Sequence, residues 1–572
     1  MTNGNFREEY QRWLDSPALS EEEWKELNSI SGDEKEIESR FFAPLEFGTA
    51  GLRGTMKLGL HNMNIHIIRH ATQAFANVIL EEGAEAAERG IAIAHDCRTN
   101  GRRFAEEAAC VMAANGIKVR LFESLRPTPE LSFAVLHYGT AAGLNITASH
   151  NPKEYNGYKV YWHGGAQLPP EQAALVAAEM AQIDPLAPRP ECAAPAPLTW
   201  LEEDFDRLYI DAVLQCAIDP ALLRQDPSFK VIYSAFHGVG GFITPRVMEA
   251  CGLQHFIPVP EQLRPDGTFP TVISPNPEDP RGFAMAIELA QRENADVIVG
   301  TDPDSDRVGM VVRDRSGSYV PVSGNRTGVL LLNYLLEHGA ERGALPQNPC
   351  LIKTIVTTPL AQRVAEAHGA RCFNTFTGFK YMAEKLAELE QEGTYHYILA
   401  YEESYGYMIG DHARDKDGVV AAMLLCEMAA WYRSRGMTVL DGLEELAARF
   451  GGYGEHTRNV MLPGEDGMNR MAHIMSALRQ QPLTELGGIP VSAWRDHLSG
   501  LRHTPAGQQP LELSGSNVVY YELSTGEALV IRPSGTEPKI KIYALMQGGT
   551  MAEADARAAS CAQAAEAAIL AL

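Results

Sequence analysis

The sequence lacks several features that mark whole classes of protein. Its most apolar segment, "GVLLLNYLLEHG", is far shorter than the roughly 20 residues that a membrane-spanning helix requires. The opening "MTNGNFREEYQRWLD" contains no apolar run that could serve as a signal peptide. The nine cysteines are scattered singly with no CxxC pair, which favours reduced thiols over a disulfide framework or a zinc site. We therefore expect a soluble cytoplasmic protein without a membrane partner.

The chain also has fewer basic than acidic residues. The chain has 49 Lys and Arg residues against 73 Asp and Glu residues, a formal net charge of −24. This balance argues against nucleic acid as a general partner, because the two would repel one another. It does not exclude a small anionic substrate, which responds to a local cluster of Arg and Lys. At 572 residues the chain is long enough for about four domains of roughly 150 residues.

Short apolar runs alternate with amphipathic helical runs along most of the chain. "GIAIAHDC" precedes "RRFAEEAACVMAANG", "ADVIVGTD" follows "AMAIELAQREN", and "CLIKTIVTT" precedes "LAQRVAEAHG". This alternation predicts α/β units with mostly parallel sheets. Because it recurs in three successive segments, we expect three related α/β domains.

Three stretches of the chain depart from this alternation of strands and helices. Residues 5–30 predict two short helices, with Ser20 and Glu23 spaced as a capping box. Residues 184–198, rich in Pro and Ala, predict a linker or a surface excursion. After about residue 455, "NVVYYELSTGEALVIRPSG" predicts a hairpin, and the Ala-rich end of the chain predicts a closing helix.

Three aspartates follow the apolar run in "VIVGTDPDSDRVG". Asp302, Asp304 and Asp306 stand at alternate positions, and carboxylates so close repel one another unless a cation neutralises them. Oxygen ligands suit Mg²⁺ or Ca²⁺. A calcium EF-hand is excluded, because its sixth and twelfth positions are Arg307 and Arg313 here. An acidic turn without a metal and a phosphatase-like Asp nucleophile are the alternatives.

Two segments have the composition of a phosphate-binding loop. In "LVIRPSGTEPKIKIY", Arg532 offers a bidentate fork, Ser534 and Thr536 offer hydroxyls, and Gly535 permits close approach of backbone N–H groups. Pro-Ser-Gly is equally typical of a hairpin turn, and the segment alone does not separate the two. In "LEFGTAGLRGTM", glycines surround Arg53, which suits an anion with the same ambiguity.

Further polar loops hold Lys380 beside a glycine in "NTFTGFKYM", and Glu402 and Ser404 in "LAYEESYGYMIG". Adjacent carboxylate and hydroxyl groups suit sugar hydroxyls, although either loop alone is more typical of a solvated surface. Together with the aspartates and the phosphate-binding loops, these residues are the parts of a phosphoryl-transfer site. Ser149, in "NITASHNPKEYNGYKVYW", is then interpreted as the residue that carries the phosphoryl group.

Taken together, these motifs resemble those of a known family. "TASHNP", "GTDPDSDR", "EES" and "RPSGTEP", in this order, resemble the α-D-phosphohexomutases, and the opening "FGTAGLRG" looks most like the phosphoglucomutase/phosphopentomutase branch. The resemblance implies four domains around a central cleft, three related α/β domains with mixed, mostly parallel sheets and a smaller α+β C-terminal domain. The expected boundaries are a helical extension at 1–40 and domains at 41–205, 206–320, 321–455 and 456–572.

The resemblance also implies roles for individual residues. Ser149 would be the phosphoserine, held with Asp302, Asp304 and Asp306 on Mg²⁺. Arg53 and His150 would flank the phosphate, and Lys159 would be the general acid or base, with a pKa that neighbouring positive charge must lower if it acts as base. The residues expected to bind the substrate are Arg53, Arg307, Thr377, Gly378, Lys380, Glu402, Ser404, Lys416, Arg532, Ser534, Gly535 and Thr536.

The implied reaction interconverts glucose 1-phosphate and glucose 6-phosphate through a phosphoserine enzyme, with glucose 1,6-bisphosphate as intermediate and activator. Ser404 is followed by Tyr405 and Gly406, and not by the Gly-His of some members, which weakens the case for a mannose-phosphate enzyme. A phosphopentomutase, a phosphomannomutase and a glucose 1,6-bisphosphate synthase remain alternatives. So do a metal-dependent phosphatase or kinase acting through Asp302 and a sugar-phosphate-binding protein without catalysis. A monomer or a small homo-oligomer is expected.

Overall fold

The computed structural model describes residues 6–49, 51–187, 198–463, 466–534 and 538–572. The chain forms two compact units, of which the first contains Met1–Thr327 and Leu399–Thr438 and the second Gly328–Ile398 and Val439–Leu572. Within the described ranges, every helix is too short or too polar to cross a bilayer.

Three helices open the described chain, namely α1 (Phe6–Leu14), α2 (Glu21–Ser29) and α3 (Glu34–Phe41). The predicted capping box is present at the start of α2. The Glu23 N–H donates to Ser20 Oγ at 3.3 Å, and the Ser20 N–H donates to the Glu23 carboxylate at 2.8 Å. These reciprocal bonds satisfy two backbone donors that a helix start otherwise leaves free. The prediction of two short helices within residues 5–30 is confirmed.

The first α/β region supplies part of the core onto which these helices pack. Its elements are β1 (Leu52–Thr55), α4 (Ile65–Glu81), α5 (Ala84–Arg89), β2 (Ile91–His95), α6 (Gly101–Ala114), β3 (Val119–Phe122), α7 (Thr128–Tyr138), β4 (Ala142–Ile146), β5 (Tyr155–Trp162), α8 (Pro170–Met180) and β6 (Leu198–Leu201). The strands lie in the order β1-β5-β4-β2-β3-β6. The pairs β4/β2, β2/β3 and β3/β6 are parallel, and β1/β5 and β5/β4 are antiparallel.

The second α/β region repeats this design. Its elements are α9 (Glu203–Leu214), α10 (Leu222–Gln225), β7 (Lys230–Ser234), α11 (Gly240–Cys251), β8 (His255–Pro258), α12 (Pro260–Leu263), a 3₁₀ turn (Pro280–Phe283), α13 (Ala284–Glu293), β9 (Val297–Thr301), β10 (Val308–Arg313) and β11 (Tyr319–Val322). The sheet order is β11-β10-β9-β7-β8, with parallel pairing of β9 with β7 and of β7 with β8. Both sheets are mixed, as predicted. The first has three parallel pairs out of five, whereas the second is divided equally, because β10 pairs antiparallel with both β9 and β11.

The third α/β region contains α14 (Gly324–Arg342), β12 (Pro349–Thr354), α15 (Pro359–Ala367), β13 (Arg371–Thr375), α16 (Phe379–Glu392), β14 (His396–Tyr401), β15 (Tyr407–Met408), α17 (Gly418–Ser434) and α18 (Val439–Phe450). Strands β12 and β13 are parallel, and β14 and β15 are antiparallel.

The last region is an antiparallel sheet with two helices. Its elements are β16 (Gly452–Met461), α19 (Gly467–Gln480), β17 (Glu485–Leu486), β18 (Ile489–Asp496), β19 (Leu501–Thr504), β20 (Gly507–Pro510), β21 (Val519–Leu523), β22 (Ala528–Pro533), β23 (Lys539–Gly548) and α20 (Met551–Leu570). The predicted hairpin is β21 and β22, in which Val519 pairs with Ile531. The predicted α+β C-terminal domain is confirmed, whereas the exact domain boundaries and the central cleft stay predictions.

The cysteines largely follow expectation. Among the described residues the free thiols are Cys97, Cys216, Cys251, Cys350, Cys372, Cys426 and Cys561. Cys110, however, is disulfide-bonded. The expectation that the thiols stay reduced is therefore wrong at this residue.

Trp13 joins the N-terminal helices to the first α/β region. Its side chain is fully buried, and its ring lies edge-on to those of Phe41 and His66, with centroids 5.7 and 5.6 Å apart. The same hydrophobic core contains Ile68 and Phe75 of α4. The extension is therefore part of the folded core of this unit.

We expect Trp13→Ala to lower the free energy of unfolding by about 3–5 kcal/mol, because it removes a fully buried aromatic side chain and leaves a cavity. Trp24→Ala is the matched control, since Trp24 is 43% exposed, and it should cost less than about 1 kcal/mol. Urea unfolding monitored by circular dichroism measures both. Equal losses for the two variants would contradict the packing of the extension on this core.

Candidate active site

Ser149 lies three residues beyond the end of β4 in a strained backbone conformation. Its φ is +51°, a left-handed value that residues other than glycine seldom adopt. The Ser149 N–H donates to Thr147 Oγ1 at 2.9 Å, and the Thr147 hydroxyl donates to Asp96 Oδ2 at 2.7 Å. Asp96 directly follows β2, the parallel neighbour of β4. The serine is thus positioned from the carboxyl ends of two adjacent strands, where α/β proteins commonly bind ligands.

Arg98 holds the rest of the serine loop. Its guanidinium donates to the carbonyl oxygens of Ser149 and Asn151 at 2.5 Å each, and to those of Pro152 and Tyr155 at 2.8 and 3.0 Å. The Arg98 side chain is fully buried and lies 3.3 Å from Asp96. Burial raises the pKa of Asp96 to about 6, although Arg98 opposes this rise. One arginine therefore connects four backbone carbonyls of the serine loop.

Asp302, Asp304 and Asp306 directly follow β9, and all three are fully buried. One carboxylate oxygen from each lies within 4.8 Å of the other two. Asp304 Oδ1 and Asp306 Oδ1 are buried without a hydrogen-bond partner. Three converging carboxylates, two of which have an oxygen without a hydrogen-bond partner, are suitable ligands for a divalent cation such as Mg²⁺ or Ca²⁺.

Hydrogen bonds orient the carboxylates and bring the serine to them. The Arg307 N–H donates to Asp302 Oδ1 at 2.9 Å, and the Thr128 hydroxyl donates to Asp304 Oδ2 at 2.7 Å. Ser149 Oγ donates to Asp302 Oδ2 at 3.0 Å. The predicted carrier of the phosphoryl group and the predicted metal ligands, separated by about 150 positions in the sequence, therefore form one site.

The aspartates have different electrostatic surroundings. Burial, and then repulsion from Asp304 and Asp306, raise the pKa of Asp302 well above its usual value. Burial also acts to raise the pKa of Asp306, but Lys159, Lys416 and Arg307 outweigh it and hold this pKa far below its usual value. The carboxylate of Asp306 is thus firmly ionised, whereas that of Asp302 would need a further cation to keep it ionised.

Two lysines provide the compensating charge. Lys159 Nζ on β5 lies 2.7 Å from Asp306 Oδ2 and 3.8 Å from oxygens of Asp304 and Asp415. Lys416 Nζ lies 2.8 Å from Asp306 Oδ2 and 3.4 Å from Asp415 Oδ1. Burial lowers the pKa of Lys159, but Asp306, Asp415 and Asp304 outweigh it and raise this pKa above its usual value. Lys159 is therefore an ammonium that can donate a proton, and the lowered pKa that a base would need is not found in this arrangement.

The residues expected to flank the phosphate lie around the serine. His150 Nδ1 is 3.1 Å from Ser149 Oγ, and burial together with Arg307 and Arg53 lowers the pKa of His150 well below its usual value. The Arg53 guanidinium donates to Asn151 Oδ1 at 2.9 Å. Arg307 donates to Glu278 Oε1 at 2.9 Å. Neutral imidazole and two guanidinium groups thus lie close to the serine loop.

The loop with Glu402 and Ser404 adjoins the aspartates in the same unit. Ser404 Oγ donates to Glu402 Oε2 at 3.3 Å. Backbone bonds join this part of the chain to the segment around the three aspartates, since the Val308 N–H donates to the carbonyl of Tyr405 at 3.1 Å and the Gly418 N–H, at the start of α17, to that of Ser305 at 3.0 Å. The loop therefore presents a carboxylate and a hydroxyl beside the aspartate triad.

The remaining predicted substrate residues belong to the second unit. Gly378, with a φ of +125°, caps the start of α16, and Lys380 Nζ lies 4.6 Å from the centre of the Tyr381 ring. Thr377, the residue before this cap, is partly exposed. Arg532 lies on β22, and the Ser534 N–H donates to the carbonyl of Lys539 at 2.9 Å. Gly535 and Thr536 lie outside the described residues.

Several residues of the site escaped the sequence analysis. Asp415 accepts hydrogen bonds from Tyr161 and Gln167, both at 2.9 Å, and contacts both lysines. Its adjacency to Lys416 in "RDKDG" is the local signal that could have indicated it. Thr128 and Arg98 carry no such signal, because their partners are distant in sequence.

Comparison with protein families places three stretches of the chain in one family. Residues 44–187, 207–317 and 323–450 match the alpha/beta/alpha domains I, II and III of phosphoglucomutase/phosphomannomutase. A protein named phosphoglucomutase from Staphylococcus epidermidis is 33% identical over 544 residues, which cover 93% of this chain and 95% of that protein. One of the same name from Staphylococcus aureus is 33% identical over 515 residues, covering 89% and 91%.

Solved structures show the same fold. A putative phosphomannomutase from Thermus thermophilus superposes with a TM-score of 0.68 at 22% identity, covering 92% of this chain and 99% of the other. The open form of the Paramecium phosphoglucomutase parafusin gives a TM-score of 0.65 at 17% identity, covering 91% and 95%. At these identities the likeness concerns the architecture.

We expect Arg98→Ala to lower the free energy of unfolding by about 3–5 kcal/mol, because it removes the buried positive charge beside Asp96 and the guanidinium that donates to four backbone carbonyls. Hydrogen exchange of the amides in residues 148–153 should accelerate in the same variant. Arg103→Ala, on an exposed position of α6, is the matched control and should change neither quantity. Unaltered exchange in Arg98→Ala would contradict the positioning role of Arg98.

Proposed function

Since this chain belongs to the phosphoglucomutase/phosphomannomutase family, we propose that it is a phosphoglucomutase that interconverts glucose 1-phosphate and glucose 6-phosphate. The observation that carries the proposal is the position of Ser149, whose hydroxyl donates to Asp302 within the aspartate triad. A strained serine beside convergent carboxylates and buried lysines is an arrangement suited to phosphoryl transfer.

In the proposed reaction, phosphorylated Ser149 donates its phosphoryl group to a hydroxyl of the sugar monophosphate. The bond between phosphorus and Ser149 Oγ breaks as a bond to the sugar oxygen forms. The proton of the sugar hydroxyl is replaced on balance by one on Ser149 Oγ, and glucose 1,6-bisphosphate results. The bisphosphate turns over and returns its other phosphoryl group to Ser149. Arg98 fixes the loop through its four carbonyl bonds, so the oxygen that gives and receives the phosphoryl group stays in one position.

Asp302, Asp304 and Asp306 would hold Mg²⁺ together with an oxygen of the Ser149 phosphate. When bound, this cation supplies charge stabilisation for the transferring phosphoryl group. Thr128 keeps Asp304 oriented, and the backbone N–H of Arg307 does the same for Asp302. Outer hydrogen bonds of this kind set the geometry of the ligands.

Lys159 is the proposed proton donor. Its ammonium lies among three carboxylates that keep it charged, and it occupies the position on β5 directly across from Asn145 on β4. Because its raised pKa keeps Lys159 protonated, it has a proton to give to the oxygen that leaves phosphorus. It could act as a base only after more positive surroundings had lowered that pKa. Lys416 shares Asp306 with Lys159 and adds positive charge for the phosphate.

The remaining residues are proposed to bind the substrate. Glu402, Ser404, Thr377 and Gly378 would bind sugar hydroxyls. Arg53, Arg307 and Lys380 would contact phosphoryl oxygens, and Arg532, Ser534, Gly535 and Thr536 would hold the phosphate that does not react. A reaction that moves phosphate between two ends of one sugar requires two phosphate sites, and a forked guanidinium such as that of Arg532 suits the second.

Glucose is the proposed sugar because the curated relatives are named phosphoglucomutase. A cytoplasmic location and a monomer or small homo-oligomer are part of the same proposal.

Ser149→Ala should lower turnover of glucose 1-phosphate by at least about 10⁴-fold, because the oxygen that carries the phosphoryl group is lost. The assay contains Mg²⁺ and a trace of glucose 1,6-bisphosphate, and it compares glucose 1-phosphate with mannose, ribose and deoxyribose 1-phosphates. Ser39→Ala, on an exposed helix position, is the control and should retain full activity. Full turnover by Ser149→Ala would contradict the mechanism, whereas preference for a pentose phosphate would contradict only the substrate.

Asp304→Asn should weaken Mg²⁺ binding by at least about 10-fold, because a ligand loses its charge. Isothermal titration measures the affinity directly, and the thermal midpoint of the wild-type protein should rise with Mg²⁺ by mass action. Asp314→Asn, on a surface turn, is the matched control and should bind Mg²⁺ like the wild type. Equal affinities for all three proteins would place the metal elsewhere.

A further inference from the structure

A second cluster of reactive side chains lies in the first unit, outside the proposed catalytic residues. Cys216 Sγ is 3.8 Å from His412 Nδ1, and His412 Nε2 is 2.8 Å from Asp417 Oδ2. The hydroxyl of Tyr209 donates to the same carboxylate oxygen at 2.9 Å. We call Cys216, His412 and Asp417 the thiol triad. Its order of thiol, imidazole and carboxylate is that of an activated cysteine nucleophile.

The carboxylate decides which nitrogen of the imidazole faces the sulfur. Because Asp417 accepts a hydrogen bond, His412 Nε2 carries a proton, and Nδ1 is the atom directed at Cys216. A nitrogen in this position can take the thiol proton and leave a thiolate beside an imidazolium. Burial lowers the pKa of His412, but the hydrogen bonds to Asp417 and Cys216 outweigh it and raise this pKa to about 10. A raised pKa makes the imidazole a stronger base toward the thiol proton.

The other partly exposed cysteines lack this environment. Cys97, Cys216 and Cys372 are the partly exposed free thiols among the described residues, and the remaining free thiols are buried. Burial raises the pKa of Cys97 well above its usual value and raises that of Cys372 as well. Desolvation keeps those two thiols protonated and hence unreactive. Cys216 therefore combines access to solvent with an activating base.

The thiol triad is connected to the proposed active site by a short stretch of chain. Asp417 caps α17 by accepting hydrogen bonds from the N–H groups of Val419 and Val420, at 2.8 and 3.1 Å. The two residues before it are Asp415 and Lys416, which contact Lys159 and Asp306. A change at His412 that displaces Asp417 would therefore also move Asp415 and Lys416.

The space around the sulfur is limited on the side of this loop. A Cβ built on Gly410 would lie 2.4 Å from Cys216 Sγ and 3.0 Å from His412 Nδ1. An atom added to the sulfur in that direction cannot fit without displacing the loop. Modification of Cys216 would thus act directly on the segment that carries Asp415 and Lys416.

We propose that Cys216 is a modification site at which hydroperoxides form a sulfenic acid, and that this oxidation lowers activity by displacing the loop of residues 410–417. The thiol proton passes to His412 Nδ1, and the thiolate attacks the terminal oxygen of the hydroperoxide. The S–O bond forms as the O–O bond breaks, so sulfur is oxidised by two electrons and the peroxide is reduced. The leaving alkoxide or hydroxide takes the proton back from His412 Nδ1, and the products are sulfenic acid and alcohol or water.

The test treats the full-length protein with hydrogen peroxide and traps sulfenic acid with a cyclic 1,3-diketone, which mass spectrometry locates and times. Cys216 should be labelled at least about 10-fold faster than Cys372, because thiolate is the reactive form. His412→Gln should slow labelling of Cys216 by a similar factor and leave Cys372 unchanged. This readout does not depend on the proposed function. Equal rates at both cysteines, or no effect of His412→Gln in a variant with an unchanged thermal midpoint, would overturn the modification site.

A second measurement tests the link to activity. Turnover of the wild type should fall in step with labelling of Cys216 and return after reduction with a dithiol, since a sulfenic acid is reversible. Cys216→Ser should keep its turnover under the same peroxide, whereas Cys372→Ser, the matched control, should lose it like the wild type. Labelling of Cys216 without loss of turnover would overturn the proposed displacement of the loop.

Discussion

The buried contact between carboxylates and lysines is the interaction on which the first unit's site depends. Asp302, Asp304 and Asp306 are fully removed from water, and such charges are costly unless opposite charges and hydrogen bonds compensate them. Lys159 and Lys416 supply that compensation from two distant segments of the chain, and Thr128 supplies a hydroxyl from a third. The carboxylate oxygens that remain without a partner are those that suit a cation.

The α/β architecture explains why these segments meet. Asp96 follows β2, Ser149 follows β4, and Asp302 follows β9, so each of these loops begins at the carboxyl end of a strand that has at least one parallel neighbour. A sheet of this kind places its loops at one edge, where they can differ in sequence without disturbing the core. Arg98 and Thr147 then convert one loop into a rigid turn, and the left-handed Ser149 is stable because they over-determine it.

The sequence was informative where the chemistry is contiguous. The alternate aspartates, the serine in "TASHNP" and the apolar strands before them are local patterns, and the structure has them as predicted strands and loops. Asp415, Thr128 and Arg98 were not predicted, because each acts through partners that only folding brings near.

The sequence by itself determined the fold class, the family and the residue types of the site, because apolar periodicity and short contiguous motifs encode them. The tertiary structure decided the electrostatic state of those residues. Lys159 illustrates the difference, since a base would require neighbouring positive charge, whereas the fold surrounds it with Asp304, Asp306 and Asp415 and raises its pKa. The sign of such a shift depends on which charges lie within a few ångströms, and only the folded chain establishes those distances.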